Sequence, residues 1–179
     1  MGSESSRPNK AVFFDRDGVI NRPIVRAGLP YAPQDLGEFA WMEGAHATLE
    51  TLRSRGYLLL VCTNQPDVVR GMQTREQVDE FHRLIEAQLP IARVYACFHD
   101  NSHGCDCRKP KPGMLVEGSR DFGIDLARSW MIGDRPKDIE AGRAAGCRTV
   151  YLRHDYDAAS THTAHHEIKQ LSELLAIIE

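Results

Sequence analysis

The stretch VFFDRDGVIN, residues 12–21, decides how the rest of the chain is read. Three apolar residues run into two carboxylates, Asp15 and Asp17, with Arg16 between them. Successive side chains of an extended backbone alternate between faces, so Asp15 and Asp17 point to the same side. Two like charges there repel unless a cation lies between them or one acid holds a proton. Such an ending to a buried strand points to chemistry. The competing reading is a strand that stops in a solvated Asp-Gly turn.

Outward from this stretch, short apolar runs alternate with helical patterns. Residues 11–15 read as a strand. Residues 45–55 read as a helix stopped by Gly56, and YLLLVCT (57–63) as a strand apolar on both faces. Thr74 opens the capping box TREQ of a helix reaching about Leu89. Residues 92–97, 129–134 and 148–152 are the remaining strands. Pro112 begins a helix extending to Phe122, and Pro136 begins another that Gly146 ends. EIKQLSELLAII (167–178) reads as an amphipathic tail helix. This alternation predicts a parallel sheet covered by helices on both faces. In such sheets the site lies beyond the carboxyl ends of the strands. Asp15 with Asp17, Thr63 with Asn64, and Asp134 all fall there, which favours the chemical reading of the first stretch.

The bulk composition narrows the classes. A chain of 179 residues, 42% hydrophobic and 26% charged, fits one soluble domain. The expected boundaries are a polar, disordered tail at 1–10 and a single domain at 11–179. A net charge of −3 argues against a nucleic-acid partner, so an anionic substrate needs a local cluster of Arg and Lys. No apolar run approaches the ~20 residues that span a bilayer. The start, MGSESSRPNK, has no hydrophobic signal region. The expectation is a cytoplasmic monomer without a membrane partner. Five cysteines, an odd number without a secretory context, read as free thiols or metal ligands.

Four elements then stand in order: DRDG (15–18), TNQ (63–65), RKPKPGM (108–114) and GDRPKD (133–138). Together they resemble the aspartate-based phosphatases of the haloacid dehalogenase superfamily, over nearly the whole chain. The resemblance implies a Rossmann-like three-layer sandwich with a mainly parallel central sheet. Residues 22–43 are too few for a large cap domain. It also implies Asp15 as a nucleophile giving an aspartyl-phosphate, and Asp17 as the acid that protonates the leaving alcohol and later activates water. Asp134 is implied as a Mg²⁺ ligand together with Asp15 and the backbone carbonyl of Asp17, with Asp138 as an outer ligand. Thr63 and the amides near Asn64 resemble the phosphate cradle, and Lys109 the cation that neutralises the phosphoryl group. Gln65 and Arg135 join the substrate-binding set.

CFHDNSHGCDC (97–107) supplies Cys97, His99, Cys105 and Cys107 as C-x-H-x5-C-x-C. Three thiolates and one imidazole complete a tetrahedral Zn²⁺ and leave no position for catalytic water, so a structural zinc staple is expected. It would fix the backbone just before Arg108 and Lys109. His103 is a competing ligand. Cys62 and Cys147 read as packing residues, and His154, His162, His165 and His166 as parts of a solvated loop, with a second metal site as the alternative.

The Cys-His loop narrows the resemblance to two branches of the superfamily. The short zinc spacer is more like histidinol-phosphate phosphatases. RKPKPGM and TNQPDVVRG are more like the heptose 1,7-bisphosphate 7-phosphatases of lipopolysaccharide-precursor synthesis, although PDVV departs from their usual SGIA. A small phosphorylated sugar is the expected substrate. Arg22, Arg70 and Arg108 are the candidates for its second phosphate, Arg108 foremost. Outside enzymes, a non-catalytic, zinc-stabilised phosphate-binding module is the alternative, and the intact Asp15/Asp17 pair argues against it.

Overall fold

The computed structural model describes residues 8–157 and 160–179; of the tail expected at 1–10, residues 1–7 lie outside them. The first strand, β1, begins at Lys10 and runs Lys10–Phe14. Asn9 is already tied down, its backbone N–H donating to the Gly123 carbonyl at 3.0 Å and its side-chain amide to that of Phe122 at 2.7 Å. The described structure is therefore fixed slightly earlier than a tail ending at residue 10 would have it.

Around β1 stand β4 (Tyr57–Asn64), β5 (Arg93–Cys97), β6 (Trp130–Gly133), β7 (Arg148–Leu152) and β8 (His166–Ile168), in the order β5-β4-β1-β6-β7-β8. Every pairing in this sheet is parallel. Alternation along β1 sends Val12 and Phe14 into one apolar cluster and Ala11 and Phe13 into the other. Helices α1 (Ala45–Ser54) and α2 (Arg75–Gln88) bury Leu49, Leu52 and Ile85 on the first side. On the second side α3 (Gly113–Phe122) buries Met114 and Leu115, and α4 (Pro136–Ala144) buries Ala141. This is the expected three-layer sandwich, with a core on each face of the sheet.

The capping box at Thr74 forms as read, with Thr74 accepting from Gln77 N and Gln77 answering at the Thr74 N–H. The tail departs from expectation. In place of one helix there is β8, then a single 3-10 turn at Leu171–Glu173 and a short α5 at Leu174–Ile177. Ile168, Leu171, Leu174 and Ile178 are all buried, so the apolar spacing marked the right core residues. The backbone of β8 pairs instead with Val150–Leu152, which removes the first turn of the expected helix.

Between β1 and α1, two short strands, β2 (Ile24–Arg26) and β3 (Leu29–Tyr31), form an antiparallel hairpin. Its two-residue turn, Ala27–Gly28, has φ of 50° and 76°, the positive values that two-residue hairpin turns require. The segment is thus a small wall rather than a domain. No helix among the described residues is long and apolar enough to cross a membrane.

Candidate active site

Strand β1 sits mid-sheet, with β4 on one side and β6 on the other, and the site forms where their carboxyl ends meet. A cavity of about 270 Å³ opens there. Asp15, Asp17, Thr63, Asn64, Gln65, Arg70, Arg135 and Lys137 contribute to its lining, with Pro30–Ala32 of the hairpin side as one wall. Asp15 and Asp17 reach the same cavity, although β1 ends at Phe14 and the chain bends at Arg16 between them.

Their charges are handled separately. Asp15 Oδ1 accepts from the Arg16 backbone N–H at 2.8 Å and meets Lys109 Nζ at 2.8 Å. The Lys109 ammonium is fully buried and also lies 2.6 Å from Asp138 Oδ1. Burial works to discharge this lysine, but the adjacent Asp138 and Asp15 charges outweigh it and raise its pKa. Asp17 is held by Arg16, whose guanidinium is wholly buried and turned to a 3.0 Å ion pair. Asn21 and Gln65 donate to the same carboxylate at 3.0 and 2.8 Å. Burial favours a protonated Asp17, but the Arg16 charge and these hydrogen bonds bring its carboxyl below the usual range. The cation between the acids is therefore two cations, one for each.

The loop residues after β4 act mainly on their neighbours. The Asn64 side chain clasps the Lys109 backbone, donating to its carbonyl at 3.0 Å and accepting from its N–H at 3.1 Å. Gln65 bridges Asp17 and the Thr63 hydroxyl, each at 2.8 Å. Its own N–H donates to the Cys97 carbonyl at 2.7 Å, joining this loop to the end of β5.

Two groups of donors suit metal ions. Carboxylate oxygens of Asp15, Asp134 and Asp138 lie within 4.8 Å of one another, all three residues buried. Asp134 Oδ1 has no hydrogen-bond partner among the described residues. Burial, then the charges of Asp138 and Asp15, push Asp134 well above the ordinary carboxylate range. A hard cation among these oxygens removes that conflict, so the donor set fits Mg²⁺. Asp138 is already committed to Lys109 and to the Arg135 N–H, the latter at 3.0 Å.

The second group is Cys97, His99, Cys105 and Cys107. The sulfurs are 3.2–3.7 Å apart, and His99 Nδ1 lies 3.5–3.7 Å from Cys107 and Cys97. A tetrahedral zinc with Zn–S bonds of about 2.3 Å needs S–S edges of about 3.8 Å, close to these values. His103 is outside the group, paired with Asp100 at 2.7 Å. Cys62 and Cys147 are buried, and burial raises both thiols, Cys147 to about 12, which fits packing residues.

Three expectations meet a different geometry. Arg108 does not line the cavity with Asp15: its guanidinium donates to Asn101 Oδ1 at 2.8 Å and to the His99 carbonyl at 3.0 Å, on the metal-loop side. Arg22 is exposed and also outside the lining. The four histidines form a solvated loop only in part: His165 and His166 are exposed, but all four have partners or a place in an element. His162 stacks on Tyr151 at 3.9 Å, His165 accepts from the Thr149 N–H at 3.1 Å, His166 opens β8, and His154 reaches Gly18.

Lys137 and the hairpin wall were absent from the sequence-derived site. The lysine stood inside the GDRPKD motif, beside Asp138, and its position there was the available signal. For Tyr156, whose hydroxyl donates to Asp134 Oδ2 at 3.1 Å, the sequence offered none.

Comparison with known proteins agrees with this geometry. Residues 106–174 match the family model of HAD-hydrolase-like proteins. A D-glycero-beta-D-manno-heptose-1,7-bisphosphate 7-phosphatase of Vibrio cholerae is 38% identical, over 79% of this chain and 80% of its own. The alpha-anomer enzyme of Burkholderia mallei is 35% identical over 87% of this chain and 86% of its own. Among solved structures, a D,D-heptose 1,7-bisphosphate phosphatase from B. bronchiseptica, complexed with magnesium and phosphate, superposes with a TM-score of 0.77 at 23% identity. That match covers 94% of this chain and 99% of the other. A HAD-like phosphatase from Mesorhizobium loti matches with a TM-score of 0.75 at 27% identity, over 100% of this chain and 90% of its own. With its parallel sheet, its carboxylate–lysine centre and relatives of this identity and coverage, the chain belongs to the heptose-bisphosphate phosphatase family of haloacid dehalogenase-like hydrolases.

Proposed function

We propose that this phosphatase removes the 7-phosphate of D-glycero-D-manno-heptose 1,7-bisphosphate, using Asp15 as the nucleophile. The observation that carries the mechanism is that Asp15, which shares a cavity wall with Asp17, is paired with the buried ammonium of Lys109 at 2.8 Å. The substrate follows the relatives, and a cavity lined by Arg70, Arg135 and Lys137 suits a doubly phosphorylated sugar. The short zinc spacer leans towards histidinol phosphate, but the heptose-enzyme relatives outweigh it, and a non-catalytic module would have no use for two acids with separate cations.

In the first step an Asp15 oxygen attacks phosphorus and the bond to the sugar oxygen breaks. Asp17 gives its proton to the departing alkoxide. Asp17 rests ionised beside Arg16; the negative phosphoryl group entering next to it raises its proton affinity, so that it takes up a proton from solvent as substrate binds and has it to give. In the second step Asp17 takes a proton from water as the water oxygen attacks phosphorus. Inorganic phosphate leaves and the Asp15 carboxylate is restored. Lys109 faces the oxygens where charge redistributes, while Thr63 and the backbone near Asn64 hold the phosphoryl group. Arg135 and Lys137 neutralise the incoming anion.

Mg²⁺ would be held by Asp15, Asp134 and the Asp17 carbonyl, with Asp138 behind them, and when bound it supplies positive charge to the phosphoryl oxygens. Zinc at Cys97, His99, Cys105 and Cys107 would be structural.

Asp15→Asn tests the assignment, because it removes the nucleophile at nearly constant shape. Phosphate release from the bisphosphate should vanish while the circular dichroism spectrum stays unchanged. Retention of about a tenth of wild-type kcat, a deficit of only ~1.4 kcal/mol in barrier, would take Asp15 out of that role. Higher kcat/KM on histidinol phosphate than on the heptose bisphosphate would overturn the substrate.

A further inference from the structure

We infer that His154 and Tyr156, on the segment after β7, are positioning residues that set the cation-facing carboxylate of Asp134; the inference rests on the metal-dependent reading above. Four contacts close a loop. Gly18 has φ of +89°, and a Cβ there would lie 2.2 Å from Asp134 Oδ2, so only glycine lets the catalytic turn approach this carboxylate. His154 Nε2 donates to the Gly18 carbonyl at 2.7 Å. Tyr156 donates its hydroxyl to Asp134 Oδ2 at 3.1 Å. The two rings stack on each other, centroids 4.9 Å apart and planes 19° apart.

The carboxylate is thereby divided. Oδ2 is tied by Tyr156, whereas Oδ1 is buried without a hydrogen-bond partner among the described residues, and the carboxylate belongs to the cluster formed with Asp15 and Asp138. Rotation of the Asp134 carboxylate plane would break the Tyr156 bond, so the phenol holds the plane in which this carboxylate is offered to the cation. His154 does the same for the turn that carries the Asp17 carbonyl and is the platform on which Tyr156 stacks. Groups that orient a metal ligand from behind change metal affinity by about 10- to 100-fold when removed.

The test is a calorimetric titration of the metal-free full chain with Mg²⁺, beside its thermal melt in EDTA. Tyr156→Phe keeps the ring and removes the donor. It should weaken Mg²⁺ binding about tenfold, leave the metal-free melt unchanged, and recover kcat at saturating Mg²⁺. His154→Ala should weaken Mg²⁺ binding similarly, and His154→Gln, whose amide can donate to the Gly18 carbonyl, should restore most of it. If Tyr156→Phe does not fold, the two His154 variants carry the test. Variants that bind Mg²⁺ as wild type does would overturn the inference, whether or not their metal-free melts fall. A wild-type chain that binds no Mg²⁺ would instead overturn the metal-dependent reading itself, and the inference with it.

Discussion

Arg16 and Lys109 show how single residues settle the problem posed by adjacent acids. Both are completely buried, and each is paired with a carboxylate of the site. Removing either leaves a buried charge uncompensated, a change that typically costs about 3–5 kcal/mol. Behind Arg16 stands His82, whose Nε2 lies 3.3 Å from Arg16 Nη1 and must accept that hydrogen bond. Burial, then the Arg16 charge, lower the His82 pKa from the ordinary 6.5 to about 4, against a weaker pull from Asp79. Above neutral pH the imidazole is uncharged in both folded and unfolded chains. As pH falls from 6.5 towards 4, the unfolded chain takes up a proton that the folded one refuses, so stability is lost. Between pH 7 and pH 4.5 this one group accounts for about 2 kcal/mol. His82→Gln, which keeps an acceptor, should lose correspondingly less stability between urea melts at these two pH values. An unchanged difference would show that His82 is not the titrating group. Asp15, Asp17 and Asp134 could be read from sequence because they stand just past the carboxyl ends of apolar strands. The orientation of Arg16 could not: a long side chain between two acids can pair with either, and packing under His82 and Phe81 decides.

Elements were legible where their signal was local. The Thr74 capping box and the apolar run of β4 need nothing from elsewhere in the fold. Strand β8 was not legible, because His166–Ile168 is a strand only by pairing with β7, and its apolar spacing also suits a helix. The hairpin of β2 and β3 was equally hidden, since its strands have three residues each and largely face solvent. The metal loop makes a prediction at this scale. It has few apolar groups, and its ends attach to the site through the Cys97 carbonyl, which binds the Gln65 N–H at 2.7 Å, and through Cys107, two residues before Lys109. About one zinc per chain is expected by elemental analysis. Cys105→Ser should lower Tm and speed hydrogen exchange across residues 97–111, with kcat falling because Lys109 is no longer held. A metal-free preparation with full stability and activity would reject the staple.

At the scale of the whole molecule, a chain of net charge −3 must bind an anion, and it does so by concentrating cations at one edge of the sheet. Lys109 is used by Asp15 and Asp138, which leaves Arg135, Lys137 and the outer Arg70 along the cavity. Arg70 is the best placed for a distal phosphate. It stands in the loop after β4, its side chain is 46% exposed, and its contact with Asp67 is long at 3.4 Å. Arg108, the strongest candidate from sequence, is engaged on the metal loop instead, and no pattern in RKPKPGM reveals that orientation. A distal contact exists before and during reaction at the other end of the sugar, so its energy can serve binding, orientation or both. Arg70→Ala should therefore lower kcat/KM on the bisphosphate by about 10- to 100-fold, the loss of one charge-assisted hydrogen bond. On p-nitrophenyl phosphate, which has no distal group, the same change should have little effect, and Arg108→Ala should not discriminate between the two substrates. Equal losses on both substrates for Arg70→Ala would remove this arginine from the distal site. A selective loss for Arg108→Ala would mean that the guanidinium leaves Asn101 and the His99 carbonyl when the sugar binds.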